Sequence, residues 1–294
     1  MVLALAMLLC ILLPGYAVYT AWSWRRGGWL HWTFKSIAAT GYLGFLSYVV
    51  RWDFISTYLP LFWWSLLILG VLAGLVAMRQ RTLTERAKSR ELMIGAVEPV
   101  IALALFGYAW SAMLHPPATD VGFPLTGGRF LVIHGGTNPM LNDNNTDSAQ
   151  RYALDIVAID DFGRRAAGID PADLDLYVVY GAPVRSPCAG EVIEAIDGIP
   201  DNAIGATNTD APAGNHVIIS CGEIDIEIAH FKQGTLAVSQ GQRVAIGRTL
   251  GQAGNSGNSS EPHLHIDAVR SGSDQAVPLS FGGVFPIRNT IIAR

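Results

Sequence analysis

The sequence predicts two parts of different class: an N-terminal all-α transmembrane bundle of four helices, and a C-terminal mostly-β domain. Three observations carry this. Half of the 294 residues are apolar and only 15% are charged, and the apolar excess lies before Leu114. The charge changes sign at the same place: nine Lys/Arg against four Asp/Glu up to Leu114, then eleven against twenty from His115 on. After residue 128 the apolar runs become short and β-branched, with turn residues between them.

Four N-terminal stretches, residues 2–21, 29–50, 57–78 and 92–114, are each long enough for a hydrocarbon core that takes about 20 helical residues to cross. No Lys or Arg precedes the first, and three more follow it, which favours an anchor over a cleaved signal peptide. Arg25 and Arg26 lie in the first loop, and Arg79, Arg81, Arg86, Lys88 and Arg90 in the third. The second holds only Arg51, offset by Asp53. Positive loops stay inside, so the expected topology is multi-pass, with everything after the fourth helix outside. Trp22, Trp24, Trp29, Trp32, Trp63, Trp64 and Trp110 suit an interfacial belt, or packing within the bundle. Lys35 and Glu98 fall inside apparent helices at similar depth. They either snorkel to the interface or pair across the second and fourth helices.

Residues 116–128 (PPATDVGFPLTGG) read as a linker between residues 1–114 and a domain at 129–294. Strand-like runs follow at 132–133, 154–159, 176–180, 192–196, 216–220, 224–229, 244–246 and 264–269. A net charge of −9 after Leu114 excludes a nucleic-acid partner, because phosphate contact needs the opposite sign.

His263 and His265 flank Leu264 on one such run. Side chains alternate along a strand, so both face the same side, roughly 6–7 Å apart. One face then offers either a shared metal site or a metal ligand with a proton-handling neighbour. Asp155 sits between Leu154 and Ile156, where an unpaired charge is costly, so a partner is expected.

Other local patterns accompany them in order: RYALDI at 151–156, YGAPVRSPCAGEV at 180–192, GNHVII at 214–219, IAHF at 228–231, GQRVAIG at 241–247, Leu250-Gly251, GNSG at 254–257 and PHLH at 262–265. This set resembles the LytM/lysostaphin-type zinc metallopeptidase family over about residues 149–269. The resemblance implies a barrel-sandwich hybrid type of β domain and a Zn2+ ion, held by Asp155 and His265. It implies that His263 and His230 flank the attacking water, as general base and as stabiliser of the tetrahedral oxyanion. It also implies peptidoglycan peptides as substrate, and hence a bacterial cytoplasmic (inner) membrane for the four apolar helices, which make the lipid bilayer the other partner.

One position departs from the family pattern. Arg151 stands where a metal-binding His is expected, and on a strand it would face the same way as Asp155. Two functions follow. In one, a third ligand comes from residues 133–147 (IHGGTNPMLNDNNTD), from His134 or Asp143. In the other, the domain is degenerate, and binds cell wall or regulates other cell-wall hydrolases without cutting. The Gly-rich hairpins also suit a lipoyl- or biotin-carrier domain, but Lys232 is the only Lys after Leu114 and does not sit at a hairpin tip. If strands 190–196 and 215–221 pair antiparallel, Cys188 and Cys221 lie nearly opposite. They are then a disulfide or two buried thiols.

Overall fold

The computed structural model describes residues 2–22, 29–80 and 89–294. The chain divides into two compact units, Met1–Ser111 and Ala112–Arg294.

The first unit is helical: α1 (Val2–Met7), a π-helical turn (Leu8–Leu12), α2 (Leu13–Trp22), α3 (Trp29–Val49), α4 (Leu59–Gln80) and α5 (Ser89–Trp110). The π turn has a cause. Pro14 has no N–H to give Cys10 four residues back, and its ring crowds that carbonyl. The turn widens there, with Leu13 N–H reaching Leu8 O. The Cys10 carbonyl is satisfied instead by Trp63 Nε1–H at 3.0 Å. Trp22, Trp32 and Trp64 also bond inside the bundle, to Leu66 O, Ala21 O and Ser47 Oγ, so these four rings pack. Trp24 and the first-loop arginines, with Arg81, Arg86 and Lys88, lie outside the described residues.

Among the described residues, three helical segments are long and apolar enough to cross a membrane: Val2–Trp22, Leu59–Ala77 and Gly95–Met113. The second expected span forms α3 but is less apolar than these, because His31, Thr33, Lys35, Ser36 and Thr40 interrupt it. Helices α3 and α5 approach closely. A Cβ on Gly41 would lie 2.9 Å from Ala102 Cβ, and one on Gly44 2.8 Å from Phe106. The contacts advance together along both helices, so α3 and α5 run parallel. Two turns before Gly41, Lys35 Nζ lies 2.6 Å from Glu98 Oε2, so the two charges pair. A double-mutant cycle with Lys35→Met and Glu98→Gln should give a coupling of roughly 0.5–2 kcal/mol between them. Strictly additive losses in unfolding assays in bilayers would remove the pair as a structural element.

The second unit is mostly β. Its strands are β1 (Thr119–Asp120), β2 (Arg129–His134), β3 (Leu154–Ile159), β4 (Pro183–Arg185), β5 (Gly190–Ile196), β6 (Asn215–Ser220), β7 (Ile224–Phe231), β8 (Arg243–Val244), β9 (Thr249–Gln252), β10 (Leu264–Arg270), β11 (Leu279–Ser280) and β12 (Ile291–Ala293). Eight form one sheet in the order β12-β2-β3-β10-β7-β6-β5-β8, and β4 pairs with β9. Alternation sets the two faces. Leu154 and Ile156, Ile226 and Ile228, and Leu264 and Ile266 pack into the core with Val184 of β4, Leu250 of β9 and Leu125. Each such fully buried side chain contributes about 1.5–3 kcal/mol. The alternate positions, Asp155, Glu227, His265 and Asp267, line the other face.

Two expectations are corrected. Residues 116–128 are part of this unit rather than a linker: β1 pairs with β11, and Leu125 is fully buried. Val121, Phe123 and Leu125 alternate along the segment and pack on the core, which anchors it. Residues 176–180 are not a strand. Asp173 caps a 3-10 turn at Leu174–Leu176 by accepting from Asp175 N–H, and the chain turns again before Gly181, whose φ is +77°.

Candidate active site

Strands β3 and β10 pair antiparallel with His265 opposite Asp155. His265 Nδ1 lies 2.7 Å from Asp155 Oδ1. His263, just before β10 and on the same face, puts Nε2 3.8 Å from that oxygen. The alternation read from the sequence therefore brings both imidazoles to one carboxylate.

Two bulges bring two more. Between β6 and β7, Val217 pairs with Ile228 but Asn215 pairs with Phe231, so β7 carries an extra residue at Ala229-His230. His230 takes φ +64°, in a region costly for a residue with a Cβ. The bulge re-aims the chain: Phe231 turns into the core, and the His230 ring centre lies 4.8 Å from that of His263 and 5.6 Å from that of His265. Between β2 and β3, Val132 pairs with Ile156 but His134 with Asp155. That bulge turns His134 onto the same face, with Nδ1 4.0 Å from Asp155 Oδ2.

Arg151 does not occupy the site. It lies in the turn before β3 and is exposed, because β3 begins only at Leu154. Its carbonyl, not its guanidinium, is used: it accepts from Asn142 Nδ2 and Asn145 Nδ2. From the preceding loop, Asn144 Nδ2 donates to Asp155 Oδ2 at 3.2 Å. Asp143 is largely exposed and is bound by Arg288 at 3.3 Å, while its N–H donates to His134 Nδ1.

Two loops back the histidines. Ser256 O accepts from His230 Nδ1 at 2.8 Å, and Glu261 O accepts from His263 Nδ1 at 2.9 Å. A carbonyl can only accept, so both rings carry a proton on Nδ1, and in the neutral form of each ring Nε2 is the acceptor. The long polar insertion at 197–213 braces the loop around Ser256: Asn202 N donates to Asn255 O, and Asn208 N to Gly257 O. Gly254 is required there, since a Cβ would clash with the Lys232 backbone.

The electrostatics follow from burial. Burial alone would raise the Asp155 pKa, but the neighbouring His263, the His265 hydrogen bond and His134 outweigh it and hold the carboxyl well below its usual range. Burial opposes a charged His265 ring, yet the Asp155 hydrogen bond and the Asp267 carboxylate raise its pKa well above 6.5. His230 goes the other way: burial first, then the neighbouring His263 and His265, lower its pKa well below 6.5 and keep it neutral.

Sequence reasoning did not single out Asp267. It is buried, with Oδ2 3.8 Å from His265 Nε2. That distance exceeds a hydrogen bond, and Nε2 has no hydrogen-bond partner. The signal was available, since Asp267 lies two residues beyond His265 on the same strand face.

The donor set is one carboxylate and convergent imidazoles, the ligands that zinc takes in catalytic sites. Among the described residues no three of them form a ready-made metal cage. The cause is visible: two ligands of one tetrahedral zinc lie roughly 3.3 Å apart, whereas Asp155 and His265 are in direct hydrogen bond. Opening that bond by a fraction of an ångström brings these two donors to ligand spacing, so this pair is compatible with the ion.

Comparison with known proteins bears out the family resemblance. Residues 172–277 match Peptidase family M23, the LytM/lysostaphin type. The span takes in His230, His263 and His265, and leaves out Asp155 and His134. Among curated proteins, the chain is 29% identical over 135 residues to peptidoglycan DD-endopeptidase ShyA of Vibrio cholerae, which covers 44% of this chain and 30% of that protein. Among solved structures, it is similar to a zinc-containing peptidase from Vibrio cholerae (19% identity, 55% of this chain and 39% of that one, TM-score 0.34). It is also similar to lysostaphin from Staphylococcus simulans (19% identity, 54% and 46%, TM-score 0.30). The chain thus spans less than half of each.

Proposed function

We propose that this chain, whose residues 172–277 are an M23 peptidase domain, is a membrane-anchored zinc metallopeptidase that hydrolyses peptide bonds of peptidoglycan. The observation that carries it is the convergence of His263, His265 and His230 on Asp155 at one sheet face. Asp155 and His265 would hold the metal. His134, whose Nδ1 lies 4.0 Å from Asp155 Oδ2, would be the third ligand in preference to Asp143, whose carboxylate Arg288 engages; Nδ1 would give up the Asp143 N–H it now accepts. Asp267, 3.8 Å from His265 Nε2, would orient the ring by closing on that nitrogen, in the manner of carboxylates behind metal-binding histidines. When bound, zinc supplies Lewis acidity toward a peptide carbonyl and acidifies water.

The chain's own residues handle the proton. In the neutral form, His263 and His230 each present an Nε2 lone pair to the site, because Nδ1–H is committed to Glu261 O and Ser256 O. Burial keeps His230 neutral, so it remains an acceptor across the physiological range. One ring takes the proton of the attacking water; its new N–H then faces the developing oxyanion and passes the proton to the leaving amine.

The apolar helices support a multi-pass anchor in the cytoplasmic membrane, with the β domain outside. The Cys188–Cys221 disulfide supports that side, since such bonds persist in oxidising compartments. Full-length protein in detergent should release fragments from sacculi, lose that activity to a chelator and regain it with Zn2+. Binding to sacculi without release would instead support the degenerate reading, which the departure at Arg151 favours. His134→Ala should weaken zinc binding by more than ~100-fold, while Asp143→Ala changes it by less than ~10-fold. The reverse order in metal titrations would move the third ligand to Asp143.

A further inference from the structure

Arg165 is 1% exposed, and a guanidinium is rarely buried so completely. It lies on the segment after β3, where its carbonyl accepts from Val178 N–H at 2.9 Å. Its Nε donates to Glu261 Oε2 at 2.7 Å, and its Cζ stands 5.6 Å from the centre of the Tyr177 ring. Neither charge belongs to the metal and proton-handling groups described above.

Glu261 is where the pair meets the site. Its carbonyl accepts from His263 Nδ1 at 2.9 Å and from Ser259 Oγ at 2.9 Å. Between Glu261 and His263 stands Pro262, whose ring holds φ near −65°. A side chain clamped at 261 therefore fixes the direction of the 261 carbonyl, and a stiff residue passes that constraint to His263. We propose that Arg165 and Glu261 are positioning residues for His263. The buried ion pair sets the carbonyl that selects the Nδ1–H tautomer and aims Nε2 at the Asp155 side of the cleft. The inference rests on the reading of His263 as a proton-handling group.

The test uses full-length protein in nanodiscs with 15N-labelled imidazoles, the His263 signal assigned with His263→Gln. Replacing the whole pair, Arg165→Met with Glu261→Met, removes both charges together and spares the fold an unpaired one. The double variant should keep its melting temperature, zinc content and KM on a soluble cross-linked stem peptide. Its kcat should fall 10–100-fold, and the His263 spectrum should change from one Nδ1–H tautomer to a mixture. Arg165→Lys, which keeps the charge but loses the planar fork, should show the same tautomer mixing in milder form. It also serves if the double variant fails to fold. A variant that retains a single tautomer and the parent kcat would overturn the proposal and leave the pair a structural one. If the parent protein cuts nothing but the tautomer mixing occurs, the positioning stands and the peptidase reading falls.

Discussion

His265→Ala removes zinc binding and lowers peptide cleavage by at least ~10³-fold, which corresponds to about 4 kcal/mol of transition-state stabilisation. The ring is buried against Asp155, directly opposite it on β3. Asp155→Asn should be as damaging to catalysis and worse for the fold. It leaves a buried imidazolium without its carboxylate, a loss of about 3–5 kcal/mol. Arg151→His, which restores the family pattern in sequence, should gain nothing, because residue 151 sits in an exposed turn and not on β3. Zinc uptake should also depend on pH. Asp155 and Asp267 raise the His265 pKa, so without metal the ring holds a proton that a ligand must give up. Affinity should therefore fall as pH falls, and proton release on zinc addition should be measurable in weak buffer. Zinc binding that survives His265→Ala with unchanged affinity would sink the metallopeptidase reading.

Cys188→Ala with Cys221→Ala lowers the stability of the β domain by roughly 3–4 kcal/mol, the loop-closure value for the 33-residue separation of the two cysteines. For a domain of this size that is a fall in melting temperature of about 6–16 °C. The pair ties the start of β5 to the end of β6, with Cα atoms 6.1 Å apart. β5 carries a bulge at Ile193 and ends its pairing on the short strand β8. An edge of this kind has few other restraints, so reduction should act there first. Hydrogen exchange in dithiothreitol should quicken in β5 and β6 before β3 and β10. Uniform exchange across the sheet would show that the disulfide restrains the unfolded chain alone.

Much of the fold was legible because its causes are local. Alternation of Ile224, Ile226 and Ile228 against charged neighbours marks β7, and the same pattern marks β3 and β10. The sequence put Cys188 nearly opposite Cys221 on the condition that β5 and β6 pair antiparallel, and the structure pairs them so, with the two cysteines joined. The 176–180 segment failed for an equally physical reason. Its β-branched composition was outweighed by the Asp173 cap and the left-handed Gly181, which compete for the same backbone. Lys35 and Glu98 show the limit of a span read in isolation: equal depth permitted a pair, but only the close approach of α3 and α5 at Gly41 makes one.

The family resemblance added His230 and Asp155; by itself, the sequence determined the two-part division and the alternation that sets His263 and His265 on one face. These depend on composition and on the period of a strand, which any stretch of chain reveals alone. The tertiary structure decided what surrounds them. Two bulges turn His230 and His134 toward Asp155, a late start of β3 leaves Arg151 in solvent, and Arg165 reaches Glu261 across 96 residues of sequence. A bulge is a mismatch between two strands, and an ion pair needs two partners. Neither is written in one segment, so neither exists until the sheet has formed.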